Sequence, residues 1–257
     1  RLMEIIGAKC DFSNGKLIVD SSGVDNPEAP YELVKTMRAS FYVLGPLLAR
    51  IGTVRVSLPG GCAWGPRPVN FHLEALKTLG AKIRLENGYI IADSNGLKGA
   101  EIKFEYPSVG ATGNIVMAAA TANGTSIICN AAKEPEIVQL CDYLNHMGAN
   151  ISGHGTSTIT INGVGSLNSA DISIIPDRIE AGTFLAAGAL LGEITLKSVN
   201  PDHLELVLMK LKEIGCNLDF TENTITISPA GSINNVDITT DVYPGFPTDL
   251  QAQWIAI

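Results

Sequence analysis

A pattern that returns about every 68 residues constrains this chain more than any other feature, because self-similarity at a fixed period dictates the architecture before any single element is placed. Four segments share one form, in which a small residue and a β-rich stretch lead through a turn to a second β stretch. They are 8–20 (AKCDFSNGKLIVD), 81–93 (AKIRLENGYIIAD), 149–161 (ANISGHGTSTITI) and 216–228 (CNLDFTENTITIS). Each follows a glycine, at 7, 80, 148 and 215, so the steps are 73, 68 and 67 residues. Asn14-Gly15 and Asn87-Gly88 lie between alternating apolar runs, the signal of a two-residue type I′ hairpin. Ahead of each later glycine, 71–79, 136–147 and 203–214 carry apolar residues at helical spacing, and the glycine reads as the C′ cap. Before those helices come strands after Gly52, Gly124 and Gly192 (TVRVSL, TSIICN, EITLKS). After each hairpin a further strand is expected (AEIKFEY, ADISIIP, VDITTDV), followed by an Ala-rich helix. The repeat is thus four strands and two helices, and such units bury a sheet face on helices to give an α/β architecture.

Composition then limits the function classes. At 17% charged and 46% hydrophobic residues with a mean hydropathy of +0.20, the 257-residue chain is a packed globular protein. A net charge of −8 argues against a nucleic-acid partner, which requires a basic face. No run reaches the ~18 apolar residues of a membrane span, and no signal peptide opens the chain. Five scattered cysteines read as reduced thiols of a cytoplasmic protein, and the four histidines do not cluster, so no metal site is expected. Arg1 is not an initiator methionine, and 250–257 reads as a helix cut in mid-run. Part of a longer polypeptide, truncated at both ends, is therefore expected.

Departures from the repeat mark the places to look for chemistry. From strand-opening to helix-closing glycine the spacing is 28 residues in 52–80, against 24 in 124–148 and 23 in 192–215. The extra residues fall in 59–68, PGGCAWGPRP, a loop with three glycines and three prolines that suits a lid. Its Cys62 stands five residues from Arg67, which would lower a thiol pKa; a reactive thiol or proton donor and an incidental exposed thiol are both open. The other four cysteines sit among apolar residues and read as core packing. The strand-to-helix junctions form the second set: Arg38, Ser108 with Gly110, Asp177 to Glu180, and Asp249. Helix N-termini seat phosphate well, although Ser108 and Asp249 also read simply as N-caps. Arg38, past the start of its helix, needs an anionic partner that a phosphate ligand would supply.

The stretches PGGCAWGPRPVNFHLEAL, SVGATGNIVMAAATANGTSIICNAAKEPEI, PDRIEAGTFLAAGA and YPGFPTDLQAQ, in this order and nearly end to end, resemble the UDP-N-acetylglucosamine enolpyruvyl transferases. That family is similar in fold to the shikimate-pathway enolpyruvyl transferases, the EPSP synthases. The resemblance implies a two-domain inside-out α/β barrel with ligands between the domains. On that basis 1–175 is most of the domain that carries the lid loop, and 176–257 is an incomplete second domain. It implies transfer of the enolpyruvyl group from phosphoenolpyruvate to UDP-N-acetylglucosamine, in peptidoglycan synthesis, without metal or redox cofactor. Carried over by position, Cys62 matches the lid cysteine that fosfomycin alkylates, and Asp249 the carboxylate that takes the proton of the sugar hydroxyl. Arg38 and Arg67 match arginines that bind phosphate-bearing parts of the substrates. Pro68, Val69, Asn70 and Phe71 match the uracil-contacting stretch, and Ser108 and Gly110 the turn that holds the diphosphate. The charges of 177–180 match the crossing between domains. Three residues depart from the pattern: Asn70 where aspartate is usual, a bulky Trp64 in the lid, and Pro66 before Arg67. The family's N-terminal Lys-Asn pair and its C-terminal Asp and Arg groups lie outside 1–257, so this polypeptide by itself is expected to be inactive, and measurable turnover by it would contradict that.

Overall fold

The structure, a computed structural model, describes residues 1–59, 69–229, 231–232 and 234–257. The chain forms two compact units, 1–131 with 140–171, and 132–139 with 172–257. The first contains α1 (Leu2–Ile5), β1 (Lys9–Ser13), β2 (Lys16–Asp20), β3 (Glu28–Ala29), α2 (Tyr31–Val34), a 3₁₀ turn over Arg38–Val43 and α3 (Leu44–Ile51). It continues through β4 (Thr53–Ser57), α4 (Asn70–Thr78), β5 (Lys82–Glu86), β6 (Tyr89–Asp93), β7 (Glu101–Lys103), α5 (Val109–Ala119) and β8 (Thr125–Cys129). Helix α6 (Pro135–His146), whose first residues count with the second unit, is followed by β9 (Asn150–Ser152) and β10 (Thr158–Asn162). The second unit adds α7 (Arg178–Leu191), β11 (Ile194–Lys197), a 3₁₀ turn over Pro201–Leu204, α8 (Glu205–Ile214), β12 (Asn217–Phe220), β13 (Thr224–Ser228), a 3₁₀ turn over Thr248–Leu250 and α9 (Gln251–Ala256).

The repeat reappears as sheet topology. Two four-stranded sheets share one order, β3-β4-β6-β5 and β7-β8-β10-β9, in which only the first pair is parallel. Alternation along the strands selects the buried face. Val54 and Val56 lie opposite Ala92 and Ile90, and Ile128 lies opposite Ile159, all fully buried. The glycine caps recur in their hydrogen bonds as well. Gly80, Gly148 and Gly215 have φ of +96, +99 and +109, a conformation that costs glycine little. Each N–H and the one after it close a Schellman pair: Gly80 on Lys77 and Ala81 on Leu76, Gly148 on Asn145 and Ala149 on Leu144, Gly215 on Lys212 and Cys216 on Leu211. Asn14, Gly15, Asn87 and Gly88 all have positive φ, as type I′ hairpins require.

Two expected strands are missing. Of the three that were to follow the hairpins, only β7 forms, and the third sheet is three-stranded, β11-β13-β12. Residues 170–176 form no strand because a side chain takes the place of a ladder. Gln139 Nε2 donates to the Ser173 carbonyl at 2.8 Å, and its Oε1 accepts from Ile175 N–H at 3.1 Å. In 236–242 only an isolated bridge of Thr240 with Phe246 remains.

Helix α5 is apolar nearly all round, as a helix enclosed by others must be. It packs on α3 and α4, with Ala111, Ile115, Val116, Ala118 and Ala119 fully buried. Gly45 of α3 lets the two backbones approach: a Cβ there would lie 2.4 Å from the Asn114 carbonyl oxygen. The second unit has its own core of Leu185, Leu211, Ile225, Ile227 and Phe246. No sheet closes into a barrel among the described residues. Among them, too, no helix is long and apolar enough to cross a membrane.

Candidate functional site

In the first unit the chain gathers three segments named from the sequence. Arg38 opens the 3₁₀ turn before α3 and is exposed. Val69 is the N-cap position of α4, and Asn70 and Phe71 are its first residues. Ser108 caps α5, its hydroxyl accepting from Ala111 N–H at 3.4 Å, so the N-cap reading holds in the geometry. Helix geometry leaves the first N–H groups of α5, those of Val109 and Gly110, without partners in the helix, at its positive dipole end. Phe71 packs edge-on against Tyr106 and tilted against Phe104, at 4.7 and 5.6 Å between ring centroids, tying the start of α4 to the segment between β7 and Ser108.

Beneath these segments lies His72, buried on α4 with 7% exposure. Its ring meets Phe41 edge-on at 4.9 Å, and its Nδ1 lies 3.1 Å from Asn114 Nδ2. A Cβ on Gly110 would stand 3.3 Å from its Nε2, so the imidazole edge faces the first turn of α5. Burial, with the Arg38 charge acting in the same direction, pushes the imidazole down to about 4, so His72 is neutral at physiological pH. The Arg38 charge thus acts on this imidazole, Gly110 faces its edge, and 69–71 directly precede it in the chain. The sequence reading passed over His72 and Asn114. The available signal was polarity out of place: a histidine beside Phe71, Ala75 and Leu76 on a buried face, and an asparagine inside a helix rich in Ala and Val.

The second unit holds Asp249, exposed in the turn Thr248–Leu250; the N-cap positions here are Pro247 for the turn and Leu250 for α9, so the N-cap reading of Asp249 does not hold. Asp177 caps α7, accepting from Ile179 and Glu180 N–H at 2.8 and 3.1 Å. Arg178, 10% exposed, donates from Nε to Glu136 at 3.0 Å and lies 5.3 Å from the Tyr243 ring. A small open pocket is lined here by Arg178, His203, Glu205, Tyr243 and Pro247. Burial lowers His203 and raises Tyr243, each from its ordinary value.

Cys62, Arg67 and Pro68 lie outside the described residues, as do Trp64 and Pro66. Of the other cysteines, Cys141 and Cys216 are buried while Cys10 and Cys129 are half-buried, all as free thiols. Burial, with Asp142 beside it, pushes Cys141 up to about 12, which makes it an inert core thiol.

The family model described as EPSP synthase (3-phosphoshikimate 1-carboxyvinyltransferase) matches residues 2–257. A curated UDP-N-acetylglucosamine 1-carboxyvinyltransferase of Chloroherpeton thalassium is 57% identical over the whole of this chain and 60% of its own length. One of Desulfosudis oleivorans is 52% identical over the whole chain and 62% of its own. The chain therefore spans about 60% of the length of the curated relatives it matches. Among solved structures it is similar in fold to the enolpyruvyl transferase NikO from Streptomyces tendae. There the TM-score is 0.84 at 24% identity, over 98% of this chain and 61% of that one. An EPSP synthase from Acinetobacter baumannii superposes with a TM-score of 0.64 at 19% identity, over 92% of this chain and 57% of that one.

Proposed function

The chain belongs to the EPSP synthase family, and from that premise we propose that the polypeptide carrying it transfers the enolpyruvyl group of phosphoenolpyruvate to the 3-hydroxyl of UDP-N-acetylglucosamine, releasing phosphate. The observation that carries the choice of acceptor is 57% identity along the whole chain to a relative named for that reaction. The gathering of Arg38, 69–71 and Ser108–Gly110 in one unit supports it. A positive helix end beside an arginine suits a nucleoside diphosphate, and the start of α4 offers the adjoining ground for a uracil.

In this reading Cys62 delivers a proton to the vinyl CH₂ of phosphoenolpyruvate, leaving an electrophilic carbon. Asp249 accepts the proton of the sugar hydroxyl as its oxygen attacks. Reversal of the first protonation, with cleavage of the C–O bond to phosphate, yields the enol ether. Arg38 and Arg67 offset the charge on phosphate groups. Each acid or base contributes about 10²–10⁴-fold. The division into 1–175 and 176–257 belongs to the same proposal, with the lid loop and uridine segment in the first part. So does a cytoplasmic setting, with the two small-molecule substrates as partners and neither nucleic acid nor membrane.

The test is phosphate release from phosphoenolpyruvate by the full polypeptide, with UDP-N-acetylglucosamine or shikimate 3-phosphate as acceptor. Release with the nucleotide sugar alone supports the reading; release with shikimate 3-phosphate overturns it. Intact mass after fosfomycin, followed by peptide mapping, is expected to place a single adduct on Cys62.

A further inference from the structure

Asn114 carries a hydrogen-bond relay whose polarity is set by the backbone. Its Oδ1 accepts from the N–H of Gly45 at 2.6 Å, and its Nδ2 donates to the Phe41 carbonyl at 3.0 Å. A backbone N–H only donates and a carbonyl only accepts, so these two contacts fix which end of the amide is which. The second N–H of Nδ2 then meets His72 Nδ1 at 3.1 Å, and that nitrogen has to present a lone pair. The ring proton is consequently on Nε2, on the edge that faces Gly110. A proton on Nδ1 would set two donors against each other, a second reason why the ring stays neutral beside Arg38.

We propose that His72 is a positioning residue: held as its Nε2–H tautomer by Asn114, it sets the first turn of α5 at Ser108–Gly110 in register with Arg38 and with 69–71. This rests on the reading of that turn as the diphosphate seat of the nucleotide sugar. Four elements meet in the relay. Asn114 is in α5, Gly45 in α3, Phe41 in the 3₁₀ turn that begins with Arg38, and His72 follows directly on Asn70 and Phe71. Glycine at 110 lets the imidazole edge lie close beneath the turn: a Cβ there would stand 3.3 Å from Nε2, and the ring would have to give by a few tenths of an ångström. Displacing the ring therefore moves the turn relative to the two segments that share its ligand, and misplacement on this scale weakens binding of that ligand before it weakens folding.

The experiment uses the full polypeptide. Two-bond ¹H–¹⁵N correlation at pH 7 is expected to show His72 Nδ1 unprotonated and Nε2 protonated; the opposite tautomer overturns the proposal. Two variants then separate the ends of the ring. His72→Asn keeps an acceptor opposite Asn114 but withdraws from Gly110, and is expected to raise the KM for the nucleotide sugar about tenfold, more than it lowers kcat, with a smaller change in the KM for phosphoenolpyruvate. His72→Gln keeps a distal N–H toward Gly110 and is expected to recover part of that loss. Equal changes in both KM values and kcat, tracking a fall in Tm, would mean a packing role alone and overturn the proposal, as would a KM unchanged in both variants. Wild-type protein that does not turn over the nucleotide sugar would sink the functional reading itself, whereas normal wild-type turnover with an insensitive His72→Asn would sink only this inference.

Discussion

Acid should destabilise this protein through His72, and the size of the effect follows from its surroundings. The imidazole is 7% exposed, faces the amide N–H of Asn114, and is pushed from an ordinary 6.5 to about 4 by burial first and the Arg38 charge second. A folded-state pKa below the unfolded one means that the unfolded chain takes up the proton first. Stability contributed by the neutral ring is therefore fully present above pH 6.5 and is lost as the pH falls toward 4. Over that interval, at about 1.4 kcal/mol per pH unit, the loss is about 3 kcal/mol. That is a sizeable part of the 5–15 kcal/mol typical of a folded protein, roughly speaking. The assay is urea unfolding at several pH values between 7 and 4, on wild type and on His72→Asn. Carboxylates titrate in both proteins, so the difference in slope isolates the histidine. Wild type should lose about 3 kcal/mol more than the variant, whatever the variant's stability at pH 7. Parallel slopes would refute the argument, since they would mean that the imidazole protonates in place without penalty.

Two further changes test other links in the structure. Gly45→Ala places a Cβ 2.4 Å from the Asn114 carbonyl and 2.5 Å from its Oδ1, so α3 and α5 must part; a loss of about 1–3 kcal/mol is expected as a lower Tm, and an unchanged Tm would show that the helices are not in that close contact. Asp177→Ala removes a cap that accepts from two N–H groups of α7 and should cost about 1 kcal/mol, whereas Asp177→Asn, which keeps the acceptor, should cost less; equal losses would contradict the capping role.

The sequence by itself determined the repeating unit, because its signals are local. An Asn-Gly pair at positive φ and a glycine at a helix end each act over a few residues, and each appears in the structure where the chain carries it. The glycine of the cap even predicts which two N–H groups close the Schellman pair. Strand formation at 170–176 and 236–242 was not legible, since it depends on whether a partner edge or a side chain satisfies the backbone. At 173–175 Gln139, more than thirty residues away in sequence, does so. The candidate site divides in the same way. Arg38, Ser108 and Gly110 could be named because they stand at junctions that the repeat makes visible, and their caps follow from residue type. His72 and Asn114 gain their character only from contacts over 42, 69 and 73 residues of sequence. The tautomer, the lowered pKa and the approach to Gly110 all come from burial among α3, α4 and α5, where low polarity penalises charge and the backbone dictates which atoms donate. Periodicity along the chain carries the first kind of information, and only packing carries the second.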